Sequence, residues 1–181
     1  MLAYPVSKKP IDYNDQVFIQ PKLDGVRCLI QYDTGKVTAY SRTGKVWKNI
    51  EHITANLYKF FEKFPNIVLD GELYNHDFKD DFEEIISMVR KQKPTAEDRV
   101  KSCENVQFHC YDLVDTKISF KTRDEFIKEY LQKSNCVKHV LTMPVPNPGA
   151  LHYVHNSNID CGYEGSIVRL NTPYECKRSH S

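Results

Sequence analysis

Lysine, glutamate and arginine side chains stand at predicted strand ends, most of them beside a glycine, in patterns that could support chemistry at a phosphate. Five short stretches carry them: KLDGVR (22–27), SRTG (41–44), LDGELY (69–74), FHCYDLV (108–114) and YEGSIVRL (163–170). A lysine that has lost its proton is a nitrogen nucleophile, which can attack phosphorus and form a covalent intermediate. Lys22 is the candidate nucleophile. The alternative is an exposed turn lysine whose charge only faces water.

The candidate partners of Lys22 are two carboxylates. A free lysine has a pKa near 10.4, so a reactive site must favour the neutral amine through burial or nearby positive charge. Bound Mg²⁺ would supply such charge, and it is usually held by one or two carboxylates together with phosphate oxygens and waters. Glu72 and Glu164 are therefore the candidate metal ligands.

The elements around Lys22 are predicted to be antiparallel strands joined by tight turns. Three short apolar or β-branched runs are the predicted strands: 17–20, 26–32 and 36–41. Asp24-Gly25 and Thr34-Gly35 lie between them, and such pairs are turn signals, so consecutive hairpins are expected. In that arrangement Arg27 and Arg42 leave adjacent strands on the same side as Lys22.

The rest of the chain alternates between strand and helix patterns. Strands are predicted at 66–74, 106–114, 137–146 and 163–170, and helices at 49–64, after Asp80, and after a Thr122/Glu125 capping box. Asp70-Gly71 is expected to break the strand 66–74, with Asp24 and Asp70 both acting as turn formers. Short strands with tight links predict an α+β fold of mainly antiparallel sheets with flanking helices.

Composition is that of an ordinary globular domain. The 181 residues are 40% hydrophobic with a formal net charge of +1, so nucleic-acid binding would have to come from local patches. The six cysteines form no C-x-x-C pair, which predicts reduced thiols in a cytoplasmic protein, in the host cytoplasm if the source is viral. No apolar run is long enough to cross a bilayer, so no membrane association is expected. A monomer is expected.

Taken in order, the five stretches resemble the ATP-dependent DNA ligase branch of the covalent nucleotidyltransferases, a group that includes RNA ligases and mRNA capping enzymes. The resemblance runs from about Gln20 to the C-terminus, and YECKRS (174–179) is most similar to small phage ligases. It implies the ATP-grasp-like nucleotidyltransferase fold of DNA ligases. It also implies ATP as cofactor, Mg²⁺, and nicked double-stranded DNA as partner.

The resemblance assigns roles to individual residues. Lys22 would form a lysyl-AMP intermediate, and Arg27 and Arg42 would contact ribose and phosphate or the nicked DNA end. Tyr111 would stack on the nucleobase, whereas Phe108, on the opposite strand face, is expected in the core. The residues matching Glu72 and Glu164 lie near the ribose and at the metal.

Residues that flank the lysine are also expected to bind the nucleotide. Gln20 matches the position that reads the adenine amino group, although ligases more often have glutamate there, and Pro21 and Leu23 are counted as nucleotide-binding neighbours. NAD-dependent ligases usually lack the arginine at Arg27 and have an N-terminal nicotinamide subdomain. Only 21 residues precede Lys22, which favours ATP over NAD.

Three functions follow as alternatives. The leading one is the adenylation domain of an ATP-dependent DNA ligase, occupying residues 1–181 and incomplete at the C-terminus. In relatives, YECKRS leads into a K-x-K strand and an OB-fold domain, both expected to be absent, so adenylation is expected to be slow or absent. The second alternative is an RNA ligase or capping guanylyltransferase, and the third is a non-catalytic nucleotide- or nucleic-acid-binding remnant.

Overall fold

The structure is a computed structural model that describes residues 10–176. This part of the chain contains eight strands, six α-helices and one 3₁₀ turn at His76–Phe78. The strands are β1 (Val17–Lys22), β2 (Val26–Asp33), β3 (Lys36–Tyr40), β4 (Val68–Tyr74), β5 (Gln107–Leu113), β6 (Val137–His139), β7 (Met143–Pro144) and β8 (Gly165–Leu170). The helices are α1 (Glu51–Asn56), α2 (Tyr58–Lys63), α3 (Phe82–Val89), α4 (Ala96–Asn105), α5 (Phe120–Tyr130) and α6 (Pro148–Asp160). Residues 177–179, which end YECKRS, lie outside the described part.

The strands form two sheets, with strand order β7-β1-β8 in the smaller and β3-β2-β4-β5-β6 in the larger. Every pairing of these strands is antiparallel except that of β5 with β6. The predicted α+β fold with mainly antiparallel sheets and flanking helices is therefore confirmed.

Each sheet has its own apolar core. In the larger core, Ile30 and Leu69 pack with Phe61 of α2, Ile85 of α3 and Ile127 of α5, all fully buried. Burial of one such side chain stabilises the fold by about 1.5–3 kcal/mol. The smaller core combines Val17, Ile19 and Val145 with side chains of α6. The candidate active site lies where the two sheets meet.

The predicted hairpin between the first two strands is wrong. β1 pairs with β7 and β8, whereas β2 pairs with β3 and β4, so residues 23–25 carry the chain from one sheet to the other. Gly25 passes so close to β4 that a Cβ atom there would collide with the Leu73 carbonyl oxygen and lie 2.9 Å from Glu72 Cγ. The glycine is thus required by this close approach and not by a hairpin turn.

The second hairpin prediction is confirmed. β2 and β3 pair with Asp33 opposite Lys36, which leaves the two-residue loop Thr34-Gly35 between them. Both loop residues have positive φ, 47° and 82°, as a type I′ turn requires.

β4 continues through Asp70 and Gly71, so the predicted break there is wrong and Asp70 is not a turn former. A Cβ atom at Gly71 would collide with the His109 carbonyl oxygen and lie 2.7 Å from Phe108 Cε1. The pairing with β5 shifts register between Asp70 and Gly71, which indicates a β-bulge. The glycine therefore lets β5 pack closely against an unbroken strand.

Several helix boundaries differ from those predicted. The helix predicted at 49–64 is divided at Leu57 into α1 and α2. Asp81, not Asp80, is the N-cap of α3, and its side chain makes no capping hydrogen bond. The Thr122/Glu125 capping box is absent because α5 begins earlier, after Ser119, whose hydroxyl accepts a hydrogen bond from the Thr122 N–H at 3.4 Å.

The strand predicted at 137–146 is divided between the sheets, with β6 in the larger one and β7 in the smaller. Helices α4 and α6 were not predicted. None of the described helices is long and apolar enough to cross a membrane. All six cysteines are unpaired thiols, as predicted.

Candidate active site

Lys22 ends β1 at the junction of the two sheets, and not in an exposed turn. It lies opposite Gly165, the first residue of β8. Its Nζ atom is 3.5 Å from Oε1 of Glu164, and both side chains are partly exposed, at 42% and 55%. Partial burial and the negative charge of Glu164 raise the pKa of the neighbouring Asp24. The amine is thus accessible to a ligand and is held beside one of the two predicted carboxylates.

Glu72 is the second carboxylate, and β4 holds it in a more buried place. Its Oε2 accepts the Gly25 N–H at 3.2 Å, and its Oε1 accepts the Tyr111 hydroxyl at 3.4 Å. Burial raises the pKa of Glu72 to about 7, although both hydrogen bonds favour the ionised form. A cation bound nearby would relieve the cost of keeping this carboxylate charged.

Arg27, on β2, is held by a buried carboxylate that was not counted among the site residues. Its Nε and Nη2 atoms donate to Asp70 Oδ1 and Oδ2 at 3.0 and 2.6 Å. The Tyr174 hydroxyl donates to Asp70 Oδ2 at 2.7 Å and accepts from Arg27 Nη2 at 3.0 Å. This bidentate geometry fixes the plane of the guanidinium group.

Tyr111 lies on β5 and connects the two sheets. Its ring is almost fully buried, and the guanidinium carbon of Arg169 lies 5.3 Å from the ring centroid. Because its hydroxyl also contacts Glu72, Tyr111 links the metal-ligand candidate to β8. Phe108 is fully buried in the larger core, as predicted.

Gln20 is also brought to this junction, but its side chain is already bonded to protein atoms. It is buried, and its Nε2 donates to the Tyr111 carbonyl at 3.2 Å and to the Thr142 hydroxyl at 2.9 Å. Its Oε1 accepts from Arg169 Nε at 2.9 Å. Both Nε2 hydrogens are thus used, whereas Oε1 accepts one bond and keeps a second lone pair for a donor such as the adenine amino group. Pro21 is buried and Leu23 half-buried on either side of Lys22.

A buried ionic network behind the site was missed by the sequence analysis. Asp112 accepts from Arg123 Nε at 2.7 Å and from Arg169 Nη1 at 3.3 Å, and all three side chains are at most 1% exposed. Asp112 and Arg169 lie within two of the five stretches. Charged residues in otherwise apolar strands were therefore the sequence signal that could have predicted this network. The network joins β5, α5 and β8.

Arg42 is the predicted site residue that the structure does not bring into this cluster. It lies in the exposed turn that follows β3, closed by the Gly44 N–H donating to the Ser41 carbonyl at 3.0 Å. Within residues 10–176, its side chain forms no ion pair. Its side chain is exposed and therefore accessible to a ligand.

The Glu72 and Glu164 carboxylates suit a metal ion whose remaining coordination positions are filled by phosphate oxygens. Over the described range there is no cluster of three or more histidine, cysteine or acidic side chains that could hold a metal ion without further ligands. Glu72 offers a buried, oriented carboxylate and Glu164 a more exposed one, which matches the one or two protein ligands that Mg²⁺ generally takes.

The fold places the chain in a class of known structures. It superposes on the ligase Pmar-Lig_PreS3 with a TM-score of 0.75 at 22% identity, covering 99% of this chain and 44% of that one. It superposes on the ATP-dependent DNA ligase of bacteriophage T7, in complex with ATP, with a TM-score of 0.69 at 17% identity, covering 96% and 64%. The fold is that of the nucleotidyltransferase domain of ATP-dependent DNA ligases.

Sequence comparison identifies the family. The model of the ATP dependent DNA ligase domain matches residues 1–181, and the chain therefore belongs to this family. A relative is protein 205R of Invertebrate iridescent virus 6, whose given name marks it as a candidate DNA ligase. The two are 26% identical over 185 residues, covering 89% of this chain and 29% of the relative. The chain thus spans less than a third of this relative and less than half of Pmar-Lig_PreS3.

Proposed function

We propose that the chain is the adenylation domain of an ATP-dependent DNA ligase and that Lys22 is its nucleophile. The observation that carries this proposal is the position of Lys22 at the sheet junction. Its Nζ lies 3.5 Å from Glu164, and the strand that follows the connecting loop pairs with the strand of Glu72. A lysine without a functional role would have no reason to lie at the end of a strand, beside one carboxylate and next to the strand that carries another.

The proposed reaction begins at the amine. Neutral Lys22 attacks the α-phosphorus of ATP, so a nitrogen–phosphorus bond forms as the bond to pyrophosphate breaks, and the amine proton leaves. The AMP group then passes to a 5′-phosphate at a nick in double-stranded DNA, which frees Lys22. Attack of the 3′-hydroxyl on this activated phosphate forms the phosphodiester bond and releases AMP.

The side chains around Lys22 have separate tasks in this scheme. Glu164 holds the Lys22 side chain through the ion pair before the amine loses its proton, and Tyr111, which is 8% exposed, would stack on the base. Arg27 is held by Asp70 with its guanidinium group fixed for the ribose or the phosphates. Glu72 and Glu164 would hold Mg²⁺, which neutralises phosphate charge when bound.

A basic groove supports DNA as the partner. It has a volume of about 430 Å³ and lies between β3, α1 and the α3–α4 link. Four cations and one carboxylate line it: Lys36, Lys48, Lys93, Arg99 and Glu51. Since the whole chain has a net charge of only +1, this groove concentrates positive charge, as phosphate-backbone contact requires. We also propose that the protein acts as a monomer in the cytoplasm, or in the host cytoplasm if its source is viral.

Incubation with Mg²⁺ and α-labelled ATP or GTP, followed by denaturing electrophoresis and peptide mass spectrometry, tests the proposal. We expect label from ATP on Lys22, its loss in Lys22→Ala, and its retention in Lys59→Ala, a control on the exposed side of α2. Label retained by Lys22→Ala, or no label from either nucleotide even in a longer chain that adds the K-x-K strand, would overturn it. A preference for GTP would instead favour a capping guanylyltransferase.

A further inference from the structure

We propose that His76 is a positioning residue for Glu164, which it holds through the loop between α6 and β8. The inference rests on the proposed function, in which Glu164 orients Lys22. His76 is four residues beyond Glu72, in the 3₁₀ turn that follows β4. It therefore ties the element that carries one candidate metal ligand to the loop that carries the other.

Two hydrogen bonds fix the imidazole ring. Its Nε2 donates to the Cys161 carbonyl at 2.7 Å, because a carbonyl can only accept. In the neutral ring, Nδ1 then has no hydrogen and accepts the Tyr74 hydroxyl at 2.6 Å. Tyr74 ends β4, so the pair of bonds runs from the strand through His76 to the loop backbone.

The ring also packs against the residue that precedes Glu164. The rings of His76 and Tyr163 stack with centroids 4.2 Å apart and an interplanar angle of 24°. Between Cys161 and Tyr163, Gly162 has a φ of 92°, and a Cβ atom there would lie 2.7 Å from Lys79 Cδ. The loop is thus pressed against the turn that contains His76.

These contacts matter because the Glu164 side chain has little else to position it. It is 55% exposed, and among residues 10–176 its one ion pair is the 3.5 Å contact with Lys22. On its C-terminal side, Gly165 is fixed by pairing with Lys22 in β1. On its N-terminal side, His76 supplies the corresponding restraint.

The test compares variants that remove different contacts. His76→Ala removes all of them, His76→Phe keeps a ring beside Tyr163 but no hydrogen bonds, and His76→Gln keeps a polar group that can donate to Cys161. His52→Ala is the matched control, because His52 Nε2 also bonds a backbone carbonyl, that of Val106 at 2.8 Å, away from the site.

The first readout is the rate of Lys22 adenylation in a double-mutant cycle with Glu164→Gln. We expect His76→Ala to lower the rate at saturating ATP about tenfold when Glu164 is present, but less than twofold in the Glu164→Gln background. The half-saturating ATP concentration should change little. His76→Gln should restore part of the rate, and His52→Ala should leave it unchanged. Equal losses in both backgrounds would overturn the inference.

The second readout needs no activity. The Gly162 and Tyr163 amides donate to the Ile159 and Asn158 carbonyls, each at 3.0 Å, so hydrogen exchange reports on this loop directly. His76→Ala and His76→Phe should speed their exchange, whereas His52→Ala should not. Unchanged exchange in His76→Ala would refute the restraint even if Lys22 is labelled. Conversely, if exchange is faster in His76→Ala but Lys22 is not labelled even in a longer chain that adds the K-x-K strand, the proposed function alone is refuted.

Discussion

Arg169 of β8 donates a hydrogen bond through Nη1 to Oδ2 of Asp112 on β5, at 3.3 Å, and this contact joins the two sheets that carry the candidate active site. Arg169 also donates to Gln20, two residues before Lys22. The buried ion pair therefore supports the strand that ends at the candidate nucleophile.

Asp112→Asn should destabilise the protein strongly. The change removes the negative charge shared by Arg123 and Arg169, and leaves both guanidinium groups buried without a counter-ion. Breaking a buried ion pair in this way typically costs about 3–5 kcal/mol. Urea denaturation measures the free energy of unfolding. Asp160→Asn, at the exposed end of α6, is the control, and a loss below about 1 kcal/mol for Asp112→Asn would contradict the prediction.

Arg27→Lys should destabilise the protein by about 2–3 kcal/mol, because an ammonium group cannot replace the bidentate pair with buried Asp70. The same change at Arg42 should alter stability by less than about 0.5 kcal/mol, since Arg42 is exposed and outside the cluster. The sequence predicted the same kind of role for both arginines, and one denaturation experiment thus tests whether their contributions to stability differ. Equal effects at both positions would refute this distinction.

Local signals predicted those parts of the fold that depend on near neighbours. Thr34-Gly35 joins adjacent strands, and the required positive φ at both positions is encoded by the residues themselves. Asp24-Gly25 gives a similar signal, but β1 pairs with β8, about 145 residues away, which no local pattern records. The same limit applies to Asp70, whose partners on β2 and near the C-terminus are distant in sequence.

The failure to predict α4 and α6 has a different physical cause. No residue of α6 is fully buried, since Ala150, Leu151 and Val154 are only partly covered by the smaller core, and α4 buries only Ser102. Both helices therefore have a weaker apolar stripe than the helices that were predicted. Their starts were nevertheless encoded, since Thr95 and Asp98 form a capping box and Asn147 caps the Ala150 N–H before Pro148. Among the site residues, the proximity of Lys22 and Glu164 followed from the resemblance, whereas His76 had no local signal.

Gly71→Ala should destabilise the protein by about 3 kcal/mol, because the added methyl group would collide with the backbone of β5 at His109 and with the Phe108 ring. Gly149→Ala is the control, since its nearest neighbour, Asn147 Oδ1, would lie 3.3 Å away at the start of α6. Its effect should stay below about 1 kcal/mol. Thermal unfolding of both variants checks the difference, and a neutral Gly71→Ala would show that β4 and β5 can separate without cost.

His109 should contribute a loss of stability as pH falls from about 6.5 to 4, opposite in sign to the contribution of Glu72, whose pKa is raised to about 7. Burial, then the charge of Lys138, lowers the pKa of His109 to about 4, whereas the unfolded chain binds this proton near pH 6.5. The unfolded state therefore holds more protons in that window, and the loss reaches about 3 kcal/mol at its lower end. His109→Gln should remove this part of the pH dependence, measured by denaturation at pH 7.5 and 4.5. His152→Gln, on the exposed side of α6, should leave the pH dependence of stability unchanged.

Charge reversal in the basic groove should weaken DNA binding without affecting adenylation. Lys48 and Lys93 line the groove and are exposed, so Lys48→Glu with Lys93→Glu removes two potential phosphate contacts at little cost in stability. Each lost contact should reduce the slope of log affinity against log salt by about 0.9. Fluorescence anisotropy with a labelled nicked duplex, from low to high salt, measures this slope. Lys59→Glu on α2 controls for net charge, and an unchanged slope in the double variant would place the DNA elsewhere. Because Lys22 labelling needs no DNA, retained labelling in the double variant would attribute the loss of binding to the groove.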